Sequence, residues 1–197
     1  EAYKFNEAAG VLYQFVWHEF CDWYLEAVKP ALYGKEGPER QAGTRRVLWT
    51  VLRDILVLLH PFVPFVTEEI WQTLPGTEGS VMRAVFPLDA DTAGAVTEDP
   101  SAEADMDLVM RVITGVRNIR GEMNISPSAT LAVQVQADSE AVRQTLEKNR
   151  AVIENLARLE AFTVTLPGEK PAVAATSVVG EATVFVLLEG VIDFDKE

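Results

Sequence analysis

The sequence is poor in the residues that most often carry catalytic or metal-binding chemistry. It contains one cysteine, Cys21, and two histidines, His18 and His60, among 197 residues. A single cysteine excludes an internal disulfide framework and fits a reducing compartment, so we expect a cytoplasmic protein. His18 and Cys21 stand one helical turn apart, but zinc needs three or four ligands and no second cysteine exists. We therefore expect no metal site.

Long apolar runs and targeting signals are also missing. No run approaches the roughly 18–20 apolar residues of a membrane-spanning helix, so no membrane partner is expected. The chain begins Glu-Ala-Tyr-Lys, without a signal peptide or an initiator methionine, which suggests a piece of a longer protein. No glycine-rich phosphate loop and no nucleophile elbow is present. We expect neither a catalytic residue nor a cofactor in this chain.

Basic residues are outnumbered by acidic ones, 17 against 30, which gives a net charge of −13. Seven acidic residues and no basic residue lie in 89–110, so this one segment carries −7 of the total. Non-specific binding to a phosphate backbone should be weak, because it needs clustered lysine and arginine. A local basic patch elsewhere remains compatible with the composition.

Hydrophobic residues make up 48% of the chain, enough for a sizeable core. Their spacing predicts a helix from Phe5 to Lys29 that ends at Pro30, and a second apolar stripe predicts burial on more than one side. Residues 34–43 are predicted to be a loop. Further helices are predicted over 44–60, from Thr67 to before Pro75, and over 101–124, and an acidic loop is predicted near 88–100.

The pattern changes at Ser126-Pro127. Strands are predicted over 130–136, 161–166, 172–179 and 182–188, with a helix over 139–159 broken near Asn149 and a hairpin at Gly180-Glu181. The predicted fold is mainly α, a helical bundle followed by a small α+β subdomain. The predicted domains are residues 1–126 and 127–197.

Several aromatic and polar side chains are candidates for RNA contacts. Trp17 and Tyr24 lie off the main apolar stripe and could stack on unpaired bases, whereas Trp23 and Trp71 are expected in the core. Asp22 sits among apolar residues and should need a partner, for which Arg45, Arg46 and His60 are the candidates. A base contact by Asp22 is the less favoured alternative.

Arg117 and Arg120 are three residues apart and should share one face of the predicted helix over 101–124. Two explanations stay open for them. They could belong to a solvated charged face, or their planar guanidinium groups could contact phosphates and base edges.

Four segments carry a family resemblance. They are Phe15-Val-Trp-His-Glu-Phe-Cys-Asp-Trp-Tyr-Leu-Glu26 with Lys29-Pro30, the turn Leu58–Trp71, the stretch Val116–Arg120 with Ile125-Ser126-Pro127, and Leu188–Asp193. Together they resemble the anticodon-binding region of valyl-tRNA synthetases. Isoleucyl- and leucyl-tRNA synthetases carry looser relatives of these segments.

The resemblance implies a helical anticodon-binding bundle with a small junction subdomain, lacking the catalytic, editing and coiled-coil parts. The ATP-binding signatures of the family, of the His-Ile-Gly-His and Lys-Met-Ser-Lys-Ser types, are absent, so ATP and Mg²⁺ would serve only the full enzyme. The implied partners are a valine-accepting tRNA and the catalytic domain of the same chain. The implied tRNA-binding residues are Arg117, Arg120, Lys29, Tyr24 and Trp17.

Two alternative functions stay open. The chain could be the equivalent domain of an isoleucyl- or leucyl-tRNA synthetase, which the run Cys21–Tyr24 disfavours. It could also be a helical module that binds protein. Positive surface around Arg117 would favour RNA, and an exposed apolar patch would favour protein.

Overall fold

A computed structural model describes residues 3–87 and 98–189 of the chain. The chain divides into two compact units, Glu1–Glu98 and Asp99–Glu197. The sequence prediction placed the boundary at 126/127 instead, so the helix over 101–124 belongs with the α+β part and not with the first helices. Most of the acidic loop predicted near 88–100 lies outside the described residues.

The first unit is helical. Its elements are α1 (Phe5–Gln14), a π-helical segment (Phe15–Leu25), α2 (Glu26–Leu32), α3 (Pro38–Leu59), α4 (Pro64–Thr73) and a 3₁₀ turn (Val81–Arg83). The backbone stays helical at Gln14 and Leu25, where the π-helical segment joins its neighbours. The predicted long first helix is therefore present, with a wider turn in its middle.

The prediction that this helix is buried on more than one side is wrong. Phe20 is buried, but Val11 on the second apolar stripe is 69% exposed, and Phe5 and Phe15 are exposed as well. A π-helix bonds residue i to i+5, so the side chains of Phe15–Leu25 do not follow the 3.6-residue period of an α-helix. The burial of the helix is concentrated towards its C-terminal half.

The predicted stop at Pro30 is also wrong, because α2 continues to Leu32. A glycine ends the helix: Gly34 has φ 77° and donates its N–H to the Ala31 carbonyl. The Lys35 N–H reaches back to the Pro30 carbonyl at 3.0 Å. These two bonds form the Schellman motif that ends many helices at a left-handed glycine.

Helix α3 begins at Pro38, inside the segment predicted as a loop. Proline is favoured at the first helical position because its fixed φ suits the helix and its missing N–H would be unpaired there anyway. The core of the unit contains Trp71 as predicted, packed with Leu56, Val57 and Val81. The Glu68 carboxylate accepts hydrogen bonds from Ser80 Oγ and Val81 N, which ties the 3₁₀ turn to α4.

The second unit begins with α5 (Pro100–Glu122), capped by Asp99, and continues with β1 (Leu131–Ala137), α6 (Glu140–Lys148), α7 (Arg150–Ala157), β2 (Leu159–Thr165), β3 (Ala174–Val179) and β4 (Ala182–Leu187). The sheet order is β2-β1-β4-β3, with β1 and β2 parallel and the other pairs antiparallel. The helices α6 and α7 form the crossover that a parallel pair requires.

One face of α5 packs on this sheet and on α7. Its inward residues are fully or almost fully buried: Val109, Val112, Ile113, Val116 and Ile119. The predicted helix break at Asn149 and the hairpin at Gly180 are confirmed. The chain is thus a helical part followed by an α+β part. None of its helices within 3–87 and 98–189 has the length and apolarity to cross a membrane.

Candidate functional site

Trp17 lies in the π-helical segment and is 52% exposed, as expected for a residue off the main stripe. Its nearest aromatic neighbour is Tyr13, with ring centroids 6.4 Å apart and planes tilted by 55°. This geometry leaves much of the indole in contact with solvent. The indole can therefore offer a flat apolar surface to a planar ligand.

Tyr24 lines a groove of about 760 Å³ on the first unit. Its ring stacks on Phe20, with centroids 5.8 Å apart and planes 22° from parallel. Burial raises the pKa of the Tyr24 phenol, and the positive charge of Arg40 opposes that shift, so the phenol stays a neutral donor at physiological pH. The other residues lining the groove come from α2, the following loop and α3: Val28, Glu36, Glu39, Arg40, Gly43, Thr44 and Val47.

The groove combines the two chemistries that hold unpaired bases, an aromatic ring and hydrogen-bonding groups. Arg40 is paired with Glu36 at 3.4 Å, whereas the side chain of Glu39 makes no hydrogen bond or ion pair with the described residues. The sequence prediction identified Tyr24 but missed Arg40 and Glu39. It missed them because it assigned 34–43 to a loop, which hid their position on the first turn of α3.

Lys29 is exposed, and its ammonium group donates to both carboxylate oxygens of Glu26 at 2.6 Å. This i,i+3 ion pair neutralises the lysine locally but remains open to water. A phosphate would have to compete with Glu26 for the ammonium group.

Asp22 is not buried, contrary to the sequence prediction. Its side chain is 59% exposed and pairs with His18 at 3.4 Å, one helical turn away. None of the three predicted partners, Arg45, Arg46 and His60, pairs with it. The His60 ring is used elsewhere: its Nδ1 lies 2.8 Å from Oγ1 of the buried Thr67 at the start of α4.

Arg117 and Arg120 lie on α5, in the second unit, and their environments differ. Arg117 is exposed and donates from Nη2 to the Leu156 carbonyl at 3.0 Å. Arg120 is partly buried and donates to three backbone carbonyls, those of Ser126, Ala129 and Ala157, at 2.8–3.1 Å. Burial, followed by the proximity of Arg158, lowers the pKa of Arg120. A solvated charged face, one of the two explanations left open for the pair, therefore does not describe Arg120.

Sequence reasoning also missed Arg158. This residue follows α7 in a left-handed backbone conformation, and its exposed guanidinium donates to the Pro127 carbonyl at 3.3 Å. Nothing in the local sequence marks it, because the predicted helix ran through to Leu159. Among the described residues, no group of three His, Cys, Asp or Glu side chains is placed to hold a metal ion.

A family model and several full-chain relatives match this sequence. Residues 1–136 match a family model described as the anticodon-binding domain of tRNA ligase. The whole chain is 45% identical to a valine–tRNA ligase of Syntrophotalea carbinolica, 44% to one of Geobacter sulfurreducens and 46% to one of Nitratidesulfovibrio vulgaris. In each case the chain spans 22% of the relative's length, about a fifth.

Proposed function

The chain belongs to the family of anticodon-binding domains of tRNA ligases, and from this premise we propose that it recognises the anticodon of a valine-accepting tRNA. The observation that carries the proposal is identity of 44–46% to valine–tRNA ligases along the full chain. In this proposal the longer enzyme, in the cytoplasm, joins valine to its tRNA using ATP and Mg²⁺. This chain contributes recognition and no catalytic residue. The equivalent domain of an isoleucine or leucine enzyme is the less favoured reading.

Recognition works by positioning, with stacking and hydrogen bonds on bases and charge on phosphates. The exposed indole of Trp17 and the groove beside Tyr24 are suited to unstacked bases. Lys29 and Arg117 supply charge at the surface. Arg120 contributes chiefly by fixing the backbone of 126–129, since its donors already meet three carbonyls.

Exposed apolar side chains in and just before α1 support a second partner, the catalytic part of the same polypeptide. Tyr3, Phe5 and Val11 are all largely exposed, which is costly for a stable surface of a soluble domain. Because the chain spans 22% of the relative's length, we propose that these side chains pack against the remainder of the longer enzyme. Exposed apolar side chains also favour the alternative of a protein-binding module, which a binding titration with tRNA tests.

The test is a binding titration of the chain with a transcript of the valine-accepting tRNA at several salt concentrations. The first two bases of every valine codon are G and then U, so the anticodon has A at its centre and C at its 3′ end. Changing either base should weaken binding by about 1–3 kcal/mol, the scale of one bidentate base contact. A transcript with an altered acceptor stem is the matched control and should bind as before.

Equal affinity for the cognate and anticodon-altered transcripts would contradict anticodon recognition. Absence of binding to any tRNA would leave protein binding as the better reading. The chain alone should show no valine-dependent pyrophosphate exchange, because the ATP-binding signatures are absent from it.

A further inference from the structure

Three arginines converge on the C-terminal end of α7. Arg117 donates to the carbonyl of Leu156 and Arg120 to that of Ala157, while Arg158 is the residue that follows the helix. The last carbonyls of a helix have no partner within the helix and carry partial negative charge. Two of the three side chains therefore cap α7, which explains their positions without any ligand.

Capping of α7 does not explain why two guanidinium groups, those of Arg120 and Arg158, lie close together. Burial and, after it, the positive charge of nearby Arg158 lower the pKa of Arg120. Within residues 98–189, no carboxylate forms an ion pair with Arg120 or Arg158, and both guanidinium groups donate to neutral carbonyls. These two guanidinium groups thus lack an ion-pair partner within residues 98–189, although the chain has a net charge of −13.

Arg158 has a backbone conformation that is unusual for arginine. The residue has φ 54° and ψ 63°, the left-handed conformation in which glycine or asparagine usually ends a helix. Helix α5 follows that usage, since Asn124 (φ 50°) stands just beyond its end. Arginine at the equivalent place after α7 gains nothing from the backbone, so an explanation must come from its side chain.

That side chain is available for a ligand. Arg158 is exposed, and among the described residues its guanidinium makes one long hydrogen bond, to Pro127 at 3.3 Å, although the group has five N–H donors. The loop that Arg120 holds in place also presents the exposed hydroxyl groups of Ser126 and Ser128, 2.8 Å from each other. A planar guanidinium with spare donors matches two oxygens of a phosphate.

We propose that Arg158 binds a phosphate of the tRNA backbone, and that Arg120 is a positioning residue that holds the 126–129 loop beside it. This inference rests on the proposed tRNA-binding function. It adds a contact on the second unit that carries no base specificity, since phosphate contacts orient an RNA without reading its sequence.

The experiment measures tRNA affinity against salt for Arg158→Gly, Arg158→Ala and Arg158→Lys. Removing the guanidinium should weaken binding of cognate and anticodon-altered transcripts by the same factor. It should also make the slope of log K against log salt shallower by about 0.9, the value for one phosphate contact. Raising the salt from about 50 to about 200 mM should then reduce the affinity of the variant by a factor about three times smaller than for the unmodified chain. Arg158→Lys keeps the charge and should keep the slope.

Arg158→Gly should bind tRNA more weakly without being less stable. Arg158→Gly places the preferred residue at a left-handed helix end, so its melting temperature should equal or exceed that of the unmodified chain. Arg158→Ala keeps the unfavourable backbone conformation and should melt below Arg158→Gly. Weaker tRNA binding by Arg158→Gly then cannot come from unfolding.

Arg111→Ala is the matched control. Arg111 is exposed on the same helix as Arg120, about 13 Å further along it, and pairs with Asp107. An unchanged slope in Arg158→Gly, or an equal change in Arg111→Ala, would overturn the proposal while leaving tRNA binding intact. If the unmodified chain binds no tRNA, the proposed function fails and this inference fails with it.

Discussion

Two arginines three residues apart on one helix have different roles here. Arg117 donates to the Leu156 carbonyl from an exposed position, whereas Arg120 bridges the loop after α5 and the end of α7. Helical spacing predicts a shared face for both, and it cannot distinguish them. The distinction depends on where the 126–129 loop and α7 pass, and these are tertiary features.

Arg120→Ala should destabilise the chain by about 1.5–3 kcal/mol, because it leaves three carbonyls without their charged donor. Urea unfolding at fixed salt measures this free energy. Arg117→Ala is the control, and its cost should be smaller because its side chain is exposed whereas that of Arg120 is partly buried. Equal and small effects of both substitutions would mean that the Arg120 bonds add little to stability.

At the scale of the elements, α5 approaches the sheet closely at Gly115. A Cβ placed on this residue would lie 3.1 Å from Ser177 Oγ and 3.5 Å from Val179 Cγ2, both on β3. Glycine in a helix interior normally costs about 1 kcal/mol relative to alanine. Here the absence of a side chain permits the close packing of helix and strand.

Gly115→Ala should therefore destabilise the chain by up to about 2 kcal/mol, since crowding in a packed core typically costs about 1–3 kcal/mol and the gain in helix propensity offsets about 1 kcal/mol of it. Gly121→Ala, on the same helix with nothing within 4 Å of the added Cβ, should be neutral or stabilising. Thermal or urea unfolding compares the two.

Ser177→Ala provides a second check on the Gly115 contact. Combined with Gly115→Ala it should recover part of the lost stability, because it removes the nearest atom. A favourable coupling of about 0.5–3 kcal/mol is the expected range for residues in contact. Strictly additive effects would show that Ser177 does not resist the added methyl group.

At the scale of the whole molecule, the long helix α5 decides where the second unit begins. Its residues Val112, Ile113 and Val116 are completely buried against elements that follow it in the chain. A boundary drawn at 126/127 separates this helix from the core that it completes. A boundary near residue 98 keeps the helix and the sheet together.

Residues 99–197 expressed alone should fold cooperatively, with circular dichroism showing both helix and strand. Residues 127–197 should not, because the sheet would lose the helix that covers one of its faces. Circular dichroism and the dispersion of an NMR spectrum distinguish these results. A folded 127–197 fragment would support the sequence-based boundary.

The sequence by itself determined the second unit well. Alternating apolar residues predicted β1, the turn residues Gly180-Glu181 predicted the hairpin of β3 and β4, and the 3.6-residue period identified the buried face of α5. These patterns work because each strand or helix hides one face, so local periodicity records burial directly. The four sequence segments that resemble the anticodon-binding region likewise indicated the family whose model matches the chain.

Tertiary structure decided the features that local periodicity does not encode. The π-helical turns of Phe15–Leu25 displace side chains from the α-helical stripe. The start of α3 differs, because it comes six residues before the predicted start on a local signal, Pro38 at the first turn. The carbonyls that hold Arg120 and the left-handed position of Arg158 depend on chain segments that meet only after folding. Candidate side chains could be chosen from their type, but their exposure and partners are set by residues distant in sequence.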